Sequence, residues 1–200
     1  MLIIGLTGSI GMGKSTTAEL FRAAGVPVHD ADATVHALYS GRAVPLIEAR
    51  FPGTTINGAV DRERLGKAVL GKPEEIRALE AMIHPLVQAE EQAFLHKARQ
   101  AGARQVVLDI PLLLEVGAAG RVDCVLVVSA PSAVQKARVM ARDGMTEAKF
   151  DAIVQRQMPD ADKRRRAHAV IDTSQGLKAA RADVAALLAA LGANPGRMRR

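Results

Sequence analysis

Leu2-Ile3-Ile4-Gly5-Leu6-Thr7-Gly8-Ser9-Ile10-Gly11-Met12-Gly13-Lys14-Ser15 opens the chain, and how it is read decides the fold. The apolar run Leu2 to Leu6 predicts a buried strand, and the residues from Ser15 to Ala24 predict a helix stopped by Gly25. Between them, Gly8 to Ser15 fits G-x-x-x-x-G-K-[ST] in the context that motif requires. Glycines let the backbone curl until successive N–H groups point at one anion. The helix that follows adds its positive end. Lys14 reaches terminal phosphates as a point charge. The Ser15 hydroxyl is a Mg²⁺ ligand, and Mg²⁺ bridges the phosphates. The stretch therefore predicts an anion cradle rather than a plain turn.

Outward from the cradle, apolar strands alternate with helices. Val26 to Val28 is a short extended piece, and Ala31 to Tyr39 is helical. From there to about Ala103 the pattern is mostly helical, with a long stretch from Glu74 to Gln100 that Pro85 is expected to bend or break. QVVLD and CVLVVSA read as strong strands and HAVID as a last short one. Helices are expected over Ser132 to Arg142, Thr146 to about Gln157 and Leu177 to Leu191. Strands bounded by helices predict a three-layer α/β/α fold of the P-loop NTPase class, with a parallel sheet covered on both faces. The expected organisation is a core at 1–40 and 104–192, a helical acceptor-side subdomain at about 41–103, a helical lid at about 136–160, and a basic tail at 193–200.

Composition narrows the class. At 48% hydrophobic and 24% charged, the chain is an ordinary globular sequence. Four Phe, one Tyr and no Trp leave few platforms for stacking bases, which argues against single-stranded nucleic-acid binding. A net charge of +6 points to an anionic partner such as a phosphorylated small molecule. The one cysteine, Cys124, sits in an apolar run as a small core residue and suits a reducing, cytoplasmic setting. No stretch approaches a membrane span. A guanine-reading Asn-Lys-x-Asp is missing, because neither Asn57 nor Asn194 precedes a lysine. Small-molecule kinase chemistry then fits best: a phosphate cradle, an acceptor site and mobile arginines.

Further candidates follow from that chemistry. Asp30 and Asp32 come just after a short strand, at the carboxyl end of the sheet. One of them can align an acceptor hydroxyl and take its proton, or merely cap the next helix. A carboxylate is a weak base, but phosphoryl transfer depends mainly on positioning and charge stabilisation. Asp109, at the end of QVVLD, is either a Mg²⁺ or water partner or a turn-former before Ile110-Pro111. Arg138 and Arg142, spaced to share a helix face, either clamp a migrating phosphoryl group or form a solvated face. Lys163 to Arg166 reads as a solvated face, with a substrate-phosphate contact as the alternative. His84 is a capped core histidine or a substrate contact.

Taken together, GLTGSIGMGKST, HDAD, DRERLGKAVLGKPEEIRALEAMIHPLV, VLDIPLLLE, ARVMARDGM and RQMPDADKRRRAHAVIDTSQG resemble the dephospho-coenzyme A kinase family from Ile3 to about Leu191. The resemblance implies transfer of the ATP γ-phosphoryl group to the ribose 3′-hydroxyl of dephospho-CoA. It implies that Gly8 and Gly11 to Thr16 (Gly11, Met12, Gly13, Lys14, Ser15, Thr16) bind ATP, with Lys14 catalytic. Asp32 is then the expected base, and Arg138 and Arg142 match lid arginines. His84 and Asp109 fall on the acceptor side, and Mg²⁺ is held by Ser15, with Asp109 through water. The implied partners are ATP and dephospho-CoA, without nucleic acid or membrane, in a monomer or small homo-oligomer. Leu114 stands where the family often has Phe. Thr173 stands where it often has Asn, which bears on an adenine-side polar contact. The rivals are another small-metabolite or nucleotide kinase on the same scaffold, and a P-loop nucleotide-binding module without transfer chemistry.

Overall fold

The computed structural model describes residues 1–193; the tail from 194 onward lies outside the described residues. In chain order the elements are β1 (Leu2–Thr7), α1 (Lys14–Ala23), β2 (Val28–Asp30), α2 (Ala31–Tyr39), α3 (Val44–Arg50), β3 (Thr55–Ile56), β4 (Ala59–Val60), α4 (Arg62–Val69), α5 (Pro73–Gln100), β5 (Gln105–Asp109), β6 (Cys124–Ser129), α6 (Ser132–Met140), α7 (Glu147–Gln155), α8 (Asp160–Arg166), β7 (Ala169–Asp172) and α9 (Leu177–Ala193).

Five strands form one sheet in the order β2-β5-β1-β6-β7. β1 lies between β5 and β6, parallel to both, with Leu6 beside Asp109 on one side and Leu126 on the other. A strand in the middle of a parallel sheet is buried on both faces, which is why β1, β5 and β6 read as unbroken apolar runs. β6 shows the division residue by residue. Cys124, Leu126 and Val128 pack with Phe21 of α1 and Val184 of α9, whereas Val125 and Val127 pack with Leu113, Leu114 and Ala118. The three-layer α/β fold expected from the sequence is the fold observed. No helix among the described residues is long and apolar enough to cross a membrane.

The described residues form two compact units: Met1–His29 with residues 98–193, and Asp30–Lys97. The first unit carries the sheet. The second has its own core of Leu38, Ala43, Ile47, Phe51, Val60, Leu65 and Ile83, drawn from α2 to α5. Within it, Glu48 accepts from Gly53 N–H at 2.7 Å and from the Thr55 hydroxyl at 2.7 Å. Those bonds hold its carboxyl below the usual carboxylate range.

Some local expectations give way. α5 runs unbroken through Pro85 for 28 residues. Both Pro85 and Ala81, whose carbonyl loses its partner, are exposed, so water can replace the missing N–H. The region expected to be mostly helical contains the antiparallel pair β3–β4, closed by Asn57-Gly58 with Asn57 at φ 50°. Asn-Gly between short apolar segments is the tight-hairpin signal, too brief here to stand out from the helical pattern. Lys163 is not part of a solvated face: it lies in α8 with its side chain fully buried, 2.8 Å from Glu115 Oε1.

Candidate active site

The loop between β1 and α1 has the geometry of an anion cradle. Gly11 and Gly13 take φ 77° and φ 88°, a left-handed conformation that side chains oppose. Neither has room for one: a Cβ on Gly11 would lie 2.5 Å from Val139 Cγ2, and one on Gly13 would lie 3.1 Å from Thr173 Oγ1. Gly13 is the N-cap of α1, so the cap brings no side-chain acceptor, and the helix has no acid in its first turn. Its first N–H groups are left for an external anion. Met12 anchors the loop from below. Its side chain is buried, with Sδ 3.2 Å from Ala130 N. Ser15 and Thr16 follow on the exposed first turn of α1.

Lys14 is held in place. Its ammonium donates to Asp109 Oδ1 at 2.5 Å, and Asp109 is almost wholly buried at the carboxyl end of β5. Asp109 is thus brought to the cradle and engaged by its lysine.

The arginines meet at one cavity, though not as one helix face. α6 ends at Met140, with Ala141 as C-cap, so Arg142 lies beyond the helix. Both still line a cavity of about 270 Å³ with Gly11, Gly13, Thr16, Thr17 and Thr173. Half-buried Arg138 donates to Thr173 Oγ1 at 2.9 Å, to Thr173 O at 2.7 Å and to Gly11 O at 3.4 Å. The Thr173 hydroxyl in turn donates to Met12 O at 2.9 Å. Arg138 therefore ties the cradle to the turn after β7, while Arg142 is exposed. Thr173 is a site residue that the sequence marks only as a departure from the family pattern.

Asp30, Asp32 and His84 belong to the second unit. Asp30 caps α2, its Oδ1 accepting from Ala33 N–H at 2.9 Å. That settles which acid of the pair does the capping. Asp32 lies in the first turn of α2, exposed. His84 is exposed on α5, which removes the core-histidine alternative.

Two glutamines escaped the sequence reading altogether. Gln135 Nε2 donates to Ile10 O at 2.8 Å, and Gln157 Oε1 accepts from Ile10 N–H at 3.1 Å. Gln157 stands inside the family-like stretch RQMPDADKRRRAHAVIDTSQG, whereas Gln135 lies outside the quoted stretches.

A strand, a glycine cradle with its lysine, an uncapped helix start and an adjoining arginine-lined cavity define a P-loop phosphotransferase. Comparison with known proteins narrows that class. The dephospho-CoA kinase family model matches residues 2–179. The dephospho-CoA kinase of Mesorhizobium japonicum is 60% identical, covering 94% of this chain and 95% of its own length. A crystal structure of a Thermus thermophilus protein superposes with a TM-score of 0.82 at 37% identity, covering 98% of each chain. The dephospho-CoA kinase structure from Campylobacter jejuni shares the fold, at a TM-score of 0.64 and 21% identity over 94% of this chain and 96% of that one. This chain belongs to the dephospho-CoA kinase family, whose members are ATP-dependent phosphotransferases.

Proposed function

We propose that the chain moves the γ-phosphoryl group of ATP to the ribose 3′-hydroxyl of dephospho-CoA, giving coenzyme A and ADP. The observation that carries this reading is the start of α1: two left-handed glycines and no acidic or side-chain cap, with Lys14 as its first residue. In this account the amides from Gly11 to Thr16 hold the triphosphate. Lys14 exchanges Asp109 for the terminal phosphates and offsets their charge. The base and ribose of ATP occupy the 270 Å³ cavity beside Thr17, Thr173 and Leu177.

Ser15 suits Mg²⁺. Its hydroxyl is exposed at the helix start, and Mg²⁺ needs only one or two protein ligands besides phosphates and water. When bound, that ion neutralises charge on the phosphates. Asp109 would help hold that ion through water once Lys14 has turned to the phosphates.

Asp32, relieved of capping by Asp30, is the base of the reaction. It accepts the proton of the 3′-hydroxyl as that oxygen bonds to the γ-phosphorus and the bond from the γ-phosphorus to the β–γ bridging oxygen breaks, releasing ADP. Arg138 keeps the cradle shaped and adds positive charge beside it. Arg142, exposed at the cavity, is the arginine able to swing onto the transferring group as residues 136–160 close as a lid. The unit Asp30–Lys97, with His84, serves the acceptor. The place of action is the cytoplasm, where a free thiol such as Cys124 persists.

Assay of ADP release across acceptors tests the assignment. Dephospho-CoA is expected to support turnover and nucleoside monophosphates are not; the reverse result rejects it in favour of a nucleotide kinase.

A further inference from the structure

Ile10 is gripped through both of its backbone polar groups, one on the peptide before it and one on the peptide after it, and nothing in the reaction calls on either grip. Its N–H meets Gln157 and its C=O meets Gln135, at the distances given above. Gln135 is 7% exposed. A carboxamide buried that deeply costs stability unless it is hydrogen-bonded, so its site is built around the loop.

Gln157 stands at the C-terminal end of the segment 136–160, where that segment is rooted rather than free to swing. The next residue, Met158, donates its N–H to Glu115 Oε1 at 3.0 Å. Glu115 is paired with the buried Lys163, and Asp160 Oδ2 accepts from the Ser129 hydroxyl at 2.7 Å. The chain on either side of Pro159 is thus tied down, to Glu115 in the segment after β5 and to Ser129 of β6, and Gln157 projects from that root onto the loop. The loop needs such a brace. Glycines at 11 and 13 permit the curl but also permit many other shapes, and that freedom is lost on ordering. Ile10 immediately precedes the first of them.

We infer that Gln157, acting with Gln135, is a positioning residue for the phosphate cradle. It fixes the backbone on both sides of the Ile10 Cα so that the amides following it already converge on one anion before nucleotide arrives. This inference rests on reading residues 8–15 as the triphosphate cradle. It assigns Gln157 no contact with substrate.

The test compares binding of ADP, whose β-phosphate would lie in the curl of the loop next to Ile10, with binding of AMP, whose one phosphate would reach only the far, helix end of the cradle. Titration calorimetry is run on the full chain as wild type, Gln157→Leu, Gln135→Leu and the double variant, with KM for ATP and for dephospho-CoA measured alongside. Each single change is expected to weaken ADP about five- to ten-fold, the worth of one lost hydrogen bond, and to leave AMP unchanged. KM for ATP rises while KM for dephospho-CoA stays put. The double variant loses less than the product of the singles, because both glutamines hold one residue, Ile10. Equal weakening of ADP and AMP, or no change in either, overturns the inference. A wild type that binds ADP no more tightly than AMP removes the cradle reading and the inference with it. If Gln157→Leu does not fold, Gln157→Asn, one methylene too short to reach Ile10, carries the same comparison.

Discussion

Replacing Lys163 by Met removes an ammonium from a fully buried site and keeps the volume of the stem. Its partner Glu115, with a side chain 15% exposed, stays behind with the Met158 N–H and its own backbone N–H. Removing one partner of a buried pair costs roughly 3–5 kcal/mol. The remaining exposure and the Met158 bond move the expectation to the lower end, about 3 kcal/mol, or about 6–12 °C in Tm for a chain of this size. Acidity supplies a second readout with a definite sign. Burial raises the pKa of Glu115, but the Lys163 ammonium and the Met158 N–H outweigh it and hold the group below its ordinary value of 4.5. Its contribution is therefore present above that value and is lost as pH falls through the folded one. In Lys163→Met the burial is no longer opposed by the ammonium and the carboxyl moves upward, so mild acid relieves the variant. Urea unfolding followed by circular dichroism at pH 7.5 and pH 5 should show the gap to wild type shrinking with acid. The double variant Lys163→Met/Glu115→Gln should recover at least half of the loss. A gap below about 0.5 kcal/mol at pH 7.5, the scale of an ordinary surface change, would refute the reasoning; so would a gap that ignores pH.

Other outcomes follow from the same geometry. Gly11→Ala puts a methyl 2.5 Å from Val139 Cγ2 at φ 77°, and is expected to destabilise by about 2–4 kcal/mol and to abolish measurable ATP binding by calorimetry. Asp32→Ala should lower kcat by orders of magnitude with ATP affinity nearly unchanged; near-normal turnover in the coupled assay would exclude it as the base. Burial, helped by the Asp123 charge, pushes the Cys124 thiol up to about 11 from 9.0. At pH 8 its thiolate is then about a hundred-fold scarcer than in the unfolded chain, so a thiol reagent should spare the native protein and label it promptly in urea. By the same shift, this residue's share of stability is full below 9.0 and is lost as pH rises through about 11.

The parts of the molecule that were legible in the sequence are those written in short-range pattern. β1, the cradle and α1 declare themselves because strand, glycines, lysine and helix are consecutive. β5 and β6 do so because strands buried on both faces must be apolar throughout. What stayed hidden depends on residues far apart in the chain. Nothing local separates capping Asp30 from Asp32, since both fit a helix start. The partner of Lys163 is Glu115, on a segment near another strand, so a charge run that looked solvated contains a buried ion pair. Arg138 could be matched to Arg142 by spacing, but its acceptors on Thr173 come from the turn after β7. Pro85 does not break α5, because the cost of a helix proline depends on whether water can reach the carbonyl it orphans.

The most direct test of the central claim is a crystal structure with a non-hydrolysable ATP analogue and dephospho-CoA bound together. The account predicts the terminal phosphates on the amides that follow Ile10, and an Asp32 carboxylate oxygen about 2.6–3.2 Å from the ribose 3′-oxygen, itself in line with the γ-phosphorus. A triphosphate lying elsewhere, or a 3′-oxygen with a different carboxylate beside it, would contradict it.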